Sequence, residues 1–274
     1  MKSLILSIFI SVITISNIYE KKEIVTLDNS NELSENKRPR HLNVLFIGNS
    51  LTYKNDIPAI ISKMALSMGD RIYTMMSAPG GYNFKSHSVL NTTISAIQTK
   101  KWDYVVLQES GYWGAAPASI ADTMVYPYAQ VLNDLIKKNN DSTIVILYMT
   151  HGYKYGSSWC STYPNLCSYT GMQEAVKQNY IYMSKSLNAQ LAPAGILWKI
   201  IMQKDSGLEL YADDNYHPNI TGSYISACTI FATIFHKKMI GAFYPVDIPK
   251  KTAVFIQNIV SEVMFNSDPD WHSQ

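Results

Sequence analysis

From about residue 42 onward, short apolar runs alternate with amphipathic stretches. The run "LNVLFIG" at 42–48 is continuously apolar apart from one asparagine and ends at a glycine, the pattern of a strand buried on both faces. "DIPAIISKMALSMG" at 56–69 has helical spacing, with Asp56 as a cap, Pro58 early and Gly69 closing it. "RIYTMMSA" predicts a second strand, and "NFKSHSVLNTTISAIQ" a weaker helix. "WDYVVLQ" predicts a third strand, followed by the glycine-rich, aromatic loop "ESGYWGAAP". The segment 121–140 is helical, with Pro127 as a kink or a start. "STIVILYM" predicts a strongly β-branched fourth strand, and a long aromatic loop runs from Thr150 to Thr170. Helices follow at 171–188, 194–205, 219–238 and 249–265, and a short fifth strand "AQLAP" lies between the first two.

Alternating strands and helices predict a parallel sheet covered on both faces, in one domain from about residue 41 to 274. No internal repeat and no second change of composition divides it. The first residues differ. Lys2 precedes the apolar run Leu4–Ile15, with small residues at Thr14 and Ser16. That predicts a secretory signal over residues 1–16, its apolar core shorter than a bilayer-spanning helix, with an uncleaved anchor as the alternative, and an exported (periplasmic or extracellular) protein. Residues 17–40 are polar with weak periodicity and are expected to form a linker.

Composition adds exclusions. Of 274 residues, 47% are hydrophobic and 16% charged, and 23 basic against 21 acidic side chains give a net charge of +2. This is globular composition, and nothing in it calls for a nucleic-acid partner. There are three cysteines. Cys160 and Cys167 are close in the aromatic loop and are candidates for a local disulfide in an exported protein. Cys228 lies in an apolar helical pattern and is expected to be a buried thiol. His151 beside the two loop cysteines lacks a fourth ligand at zinc spacing, so no metal and no cofactor is expected.

In parallel sheets, sites form at the carboxyl ends of strands. Those ends carry Gly48-Asn49-Ser50, then "APGGYNF", then Gln108-Glu109-Ser110, then Thr150-His151. Late in the chain stands "YADDNYHPN". A serine hydroxyl is a poor nucleophile unless an imidazole accepts its proton and a carboxylate orients that imidazole. Asp214 and His217, three residues apart, offer that pair to Ser50, with Asp213 a weaker alternative to Asp214. The N–H of Ser50, a glycine N–H from "PGG" and the Gln108 carboxamide are candidate donors to an oxyanion.

In that order, "FIGNSLT", "GGYNF", "VVLQES" and "DDNYHP" resemble the SGNH (GDSL-like) hydrolases over about Leu42 to His236. The resemblance implies a flavodoxin-like three-layer α/β/α sandwich around a central, mostly parallel five-stranded sheet. It implies Ser50 as nucleophile, His217 as general base, Asp214 as its orienting acid and Gly81 as the glycine donor. Two positions depart from the family pattern: Asn49 replaces a common aspartate, and Gln108 stands where an asparagine is expected. Asn49, His87, Tyr112, Trp113 and His151 are candidate substrate contacts. The aromatic loops suit sugar rings, or alternatively pack against their own domain. The expected activity is a serine esterase that removes an acyl group, acetyl first of all, from a small-molecule or polysaccharide ester. The alternatives are a lipid or aryl esterase of the same chemistry, or a non-catalytic glycan-binding or surface-assembly protein on the same fold.

Overall fold

A computed structural model describes residues 40–265 of the chain. The signal and linker expected for residues 1–39, and His272, lie outside the described residues. β1 (His41–Ile47) leads into the single turn α1 (Ser50–Tyr53) and, past a 3-10 turn, α2 (Ile57–Ser67). β2 (Arg71–Ser77) is followed by α3 (Phe84–Ser88) and α4 (Asn91–Gln98). After β3 (Tyr104–Leu107) come α5 (Gly111–Gly114), α6 (Ala118–Met124) and α7 (Tyr126–Asn139). β4 (Ile144–Tyr148) precedes two 3-10 turns and α8 (Tyr169–Leu187). β5 (Gln190–Ala192), α9 (Ala194–Lys204), α10 (Ile220–Phe235) and α11 (Lys250–Phe265) complete the order.

The five strands form one parallel sheet in the order β2-β1-β3-β4-β5. The order reverses between β1 and β3, and the crevice outside their carboxyl ends is where such sheets bind ligands. Alternation along each strand sorts the core into two halves. Val44, Phe46, Val106, Ile146 and Tyr148 face α2, α9, α10 and α11. Leu45, Ile47, Val105, Leu107 and Leu147 face α4, α7 and α8. All ten of these side chains are buried, and each contributes roughly 1.5–3 kcal/mol by leaving water. The molecule is therefore the expected α/β/α sandwich.

Two helices predicted as continuous are broken. Residues 83–98 divide at Val89 and Leu90 into α3 and α4. Residues 121–140 divide at Val125, because Pro127 starts α7 where its missing N–H costs nothing. Arg40, assigned to the linker, is bound into the domain. Its Nη2 donates to the Phe235 carbonyl at 2.6 Å and its N–H to Asp70 Oδ1 at 2.9 Å. Among the described residues no helix is long and apolar enough to cross a membrane.

Candidate active site

β1 ends at Ile47, and α1 begins three residues later, so Ser50 occupies a sharp strand-to-helix turn. Asn49 caps that turn, its Oδ1 accepting from the Leu51 N–H at 3.0 Å. Behind it lies the Gln108 carboxamide, fully buried at the end of β3. Gln108 Oε1 accepts from the Asn49 N–H (2.9 Å) and the Thr52 hydroxyl (2.7 Å). Its Nε2 donates to Asn49 Oδ1 (3.1 Å) and to the Glu109 carbonyl (2.5 Å). Glycine is required at 48 because a Cβ there would sit 2.5 Å from both Gln108 Oε1 and Thr52 Oγ1.

The histidine comes from the opposite direction in sequence. The loop between α9 and α10 closes on itself through an antiparallel bridge between Tyr211 and Pro218 and a bond from the Ala212 N–H to the His217 carbonyl. Asn215 takes the left-handed conformation (φ 60°) at the turn. Asp214 Oδ1 accepts the N–H groups of Tyr216 (3.1 Å) and His217 (2.8 Å). Its Oδ2 lies 2.6 Å from His217 Nδ1. Burial alone would raise the Asp214 carboxyl; the His217 ring and the two backbone donors outweigh it and hold it down to about 2. A carboxylate at Nδ1 fixes the tautomer in which Nε2 accepts, and His217 Nε2 lies 2.8 Å from Ser50 Oγ. The line Asp214–His217–Ser50 can draw a proton from the serine hydroxyl. Asp213, the alternative, is exposed and offers its carbonyl to Asn215.

The Ser50 N–H, first in its helix, and the Gly81 N–H have no acceptor among the described residues. Gly81 sits at φ 75°, which a side chain would strain, in an exposed loop. Asn49 Nδ2 donates to the Tyr82 carbonyl at 2.7 Å, tying that loop to the residue before Ser50.

Four expected site residues take other places. Gln108 is not an open oxyanion donor: both its amide hydrogens are spent, and it braces the Ser50 turn. Asn49, 2% exposed, is turned inward as cap and tie rather than outward to substrate. His87 is fully buried, its Nε2 2.7 Å from the Gly48 carbonyl and its Nδ1 2.8 Å from Thr93 Oγ1. Burial lowers its pKa, so it is a neutral strut between α3 and the end of β1. His151, 1% exposed, lies beneath the His217 loop, its Nε2 3.0 Å from the Tyr216 carbonyl.

Tyr112 and Trp113 are half-buried and gather with the aromatic loop. Tyr112 stacks on Trp159 (4.6 Å between centroids), and Trp113 meets both edge-on. Trp159 Nε1 donates to the Tyr112 carbonyl at 3.1 Å. Cys160 and Cys167 are joined as a disulfide with Cα atoms 4.7 Å apart, closing a short loop that begins immediately after Trp159. Tyr153 bridges toward the histidine, its ring 4.9 Å from that of Tyr216 and its hydroxyl at the Tyr112 backbone. The rings therefore pack on one another and remain half-exposed. Cys228 is a buried free thiol, and burial pushes its pKa up.

Sequence reasoning passed over Glu109. It is fully buried, with no ion-pair partner among the described residues. Its Oε2 accepts the Phe84 N–H (3.0 Å) and its Oε1 the Ser110 N–H (2.5 Å). Burial pushes its pKa up to about 8 against these two backbone bonds and a third from the Ser110 hydroxyl, all of which lower it. It holds the start of α3, directly after the glycine loop. A charged residue inside the third block was the available signal.

A cleft of about 480 Å³ lined by His41, Asn43, Arg71 and Tyr73 lies at the amino ends of β1 and β2, away from Ser50. Among the described residues no group of three or more His, Cys, Asp or Glu side chains could hold a metal ion.

The class this defines is a parallel α/β sandwich with an aligned serine, histidine and aspartate at its carboxyl edge. Neither a protein-family model nor a curated protein matches the sequence. Solved structures do match. One is a protein from Slackia heliotrinireducens assigned to the SGNH hydrolases, 23% identical, covering 71% of this chain and 99% of its own, with a TM-score of 0.58. A DUF4886 family protein from Bacteroides uniformis is 16% identical, with coverage of 82% and 96% and a TM-score of 0.66. A catalytic mutant of the acetylxylan esterase Axe2 from Geobacillus stearothermophilus is 16% identical, with coverage of 72% and 95% and a TM-score of 0.51. The chain has the fold of the SGNH hydrolases.

Proposed function

We propose that the chain is an exported serine esterase that removes an acyl group, acetyl first of all, from a carbohydrate. The supporting observation is the 2.8 Å approach of His217 Nε2 to Ser50 Oγ with Asp214 Oδ2 2.6 Å behind the ring. Ser50 Oγ attacks the ester carbonyl carbon while His217 Nε2 takes its proton. The carbonyl oxygen becomes an oxyanion facing the N–H groups of Ser50 and Gly81, each such donor supplying about 3–4 kcal/mol of transition-state stabilisation. The intermediate collapses, the C–O bond to the alcohol breaks, and His217 passes the proton to the leaving oxygen. The acyl group is now on Ser50. Water, deprotonated by His217, attacks it and releases the carboxylic acid, with the proton returning to Ser50. Asp214 holds the ring throughout and stays ionised.

The carbohydrate part is supported by the half-exposed aromatic group of Tyr112, Trp113 and Trp159, since ring faces pack on the apolar faces of sugars. It draws also on the acetylxylan esterase named among the similar structures. Export is supported by the basic start and apolar run of residues 2–15, and by a disulfide in the aromatic loop.

The test is a panel of p-nitrophenyl acetate, longer p-nitrophenyl esters and acetylated polysaccharides, given to wild type and Ser50→Ala. Wild type is expected to favour acetyl over long chains and to release acetate from a polysaccharide, and Ser50→Ala to do neither. Equal rates in the two proteins would reject the nucleophile. A preference for long acyl chains would reject the deacetylase.

A further inference from the structure

The bonds within the loop from Tyr211 to Pro218 fix Asp214 against His217, but they do not aim the pair at Ser50. That aim depends on what the loop rests upon. His151, at the carboxyl end of β4, is directly beneath it and 1% exposed. Its ring lies flat on the Trp198 indole, 3.8 Å between centroids and 5° between planes. Tyr211 meets it edge-on at 5.6 Å.

His151 Nε2 lies 3.0 Å from the Tyr216 carbonyl oxygen. A carbonyl only accepts, so Nε2 carries the hydrogen and Nδ1 bears the lone pair. The Tyr216 carbonyl belongs to the same peptide unit as the His217 N–H, and that unit is planar. The N–H end is held by Asp214 Oδ1 at 2.8 Å. The plane immediately before His217 is therefore gripped at both ends, by Asp214 within the loop and by His151 from the sheet below. Gripping it fixes the direction in which the His217 side chain leaves the backbone. The Tyr216 ring adds a third contact, 3.8 Å from the His217 ring.

The other nitrogen of His151 shows what the residue is kept for. Nδ1 is buried and has no hydrogen-bond partner among the described residues. Leaving it so is costly, and a phenylalanine would cover Trp198 as well without that cost. Burial also keeps the ring neutral, with its pKa pushed down to about 4. Stacking alone does not call for an imidazole here; the single bond to the Tyr216 carbonyl does.

We infer that His151 is a positioning residue, a neutral donor that clamps the Tyr216–His217 peptide plane and so aims His217 Nε2 at Ser50 Oγ. The inference rests on the serine-esterase reading of the site. Other tethers of the loop, among them Lys154 N–H to the Asn215 carbonyl (3.0 Å), Asn55 Nδ2 to the Pro218 carbonyl (3.2 Å) and the Tyr211 hydroxyl to the Gly152 carbonyl (2.7 Å), stay in place without His151. The expected loss is consequently partial. A misplacement of about 1 Å costs on the order of 10²-fold in rate.

Two variants test it. His151→Phe keeps the stack on Trp198 and removes the donor. His151→Gln removes the stack, while its amide nitrogen reaches about as far as Nε2. Hydrolysis of p-nitrophenyl acetate, the rate of Ser50 labelling by an organophosphonate, and thermal stability are measured for both and for wild type. His151→Phe is expected to melt at or above the wild-type temperature, yet to lose about 10- to 100-fold in kcat and in labelling rate with KM little changed. His151→Gln is expected to melt lower and to recover most of both rates. Stability and activity thus run in opposite orders. Wild-type kcat in His151→Phe, or losses that follow melting temperature in both variants, would overturn the inference and leave the esterase reading standing. A wild type that neither turns over nor labels would sink both.

Discussion

Replacing Glu109 by glutamine should change the pH dependence of stability more than its level. Burial holds the Glu109 carboxyl up to about 8, against an ordinary value of 4.5. Between those values the folded chain keeps a proton that the unfolded chain has released. Stability therefore falls as pH rises through that window, by about 1.4 kcal/mol per pH unit. Over the full window the loss approaches about 5 kcal/mol. Below pH 4.5 both states hold the proton and the contribution vanishes. Glutamine cannot ionise, so its contribution is flat. It has a separate cost, because both carboxyl oxygens accept a backbone N–H and an amide nitrogen accepts none. Losing one of those bonds costs about 1–3 kcal/mol at every pH. Glu109→Gln should thus be the less stable protein at pH 5 and the more stable one at pH 8.5. Urea unfolding midpoints at half-unit steps from pH 5 to 8.5 give the difference curve. His87 and His151 push the other way below about pH 6.5, since burial lowers both and the unfolded chain binds their protons more readily. They do so in both proteins and cancel in the difference. A flat difference curve would refute a buried, protonated Glu109.

Gln108→Ala should destabilise the fold by about 1–3 kcal/mol, because it strands the Asn49 N–H and the Thr52 hydroxyl; a fall in kcat with unchanged melting would restore Gln108 as a direct oxyanion donor. Asp214→Ala should lower kcat by at least about 10²-fold with KM less affected, as expected when an orienting carboxylate is removed; wild-type kcat would exclude that role. Replacing Cys160 and Cys167 by serine opens a small loop whose closure contributes about 2.5 kcal/mol in the chain-entropy treatment. Release of acetate from polysaccharide should then fall while p-nitrophenyl acetate hydrolysis persists, and equal losses on both would detach the aromatic loop from polysaccharide binding.

The sheet was legible because its signal is local. "VLFI", "YVVL" and "IVILY" are β-branched or apolar throughout, and strands buried on both faces must read that way. Ser50, Asp214 and His217 were legible because spacing and order carry them: a glycine turn after the first strand, and Asp and His three apart late in the chain. What was missed depends on side-chain direction, which spacing does not encode. Gln108 and Ser50 both follow strands at the carboxyl edge, yet the glutamine turns back under the Ser50 turn and the serine turns toward the His217 loop. His151 and His87 stand at site positions, but Trp198 and Thr93, distant from them or on another helix, claim their rings. The break between α3 and α4 lay within a sequence whose helical spacing was weak throughout.

Ser50 reactivity toward a fluorophosphonate probe, read by peptide mass spectrometry, tests the central claim most directly. If His217 draws the Ser50 proton, the wild-type protein carries one phosphonyl group on the peptide containing Ser50, and His217→Ala carries none under the same exposure. Labelling at another residue, or equal labelling of Ser50 in both proteins, would contradict the account.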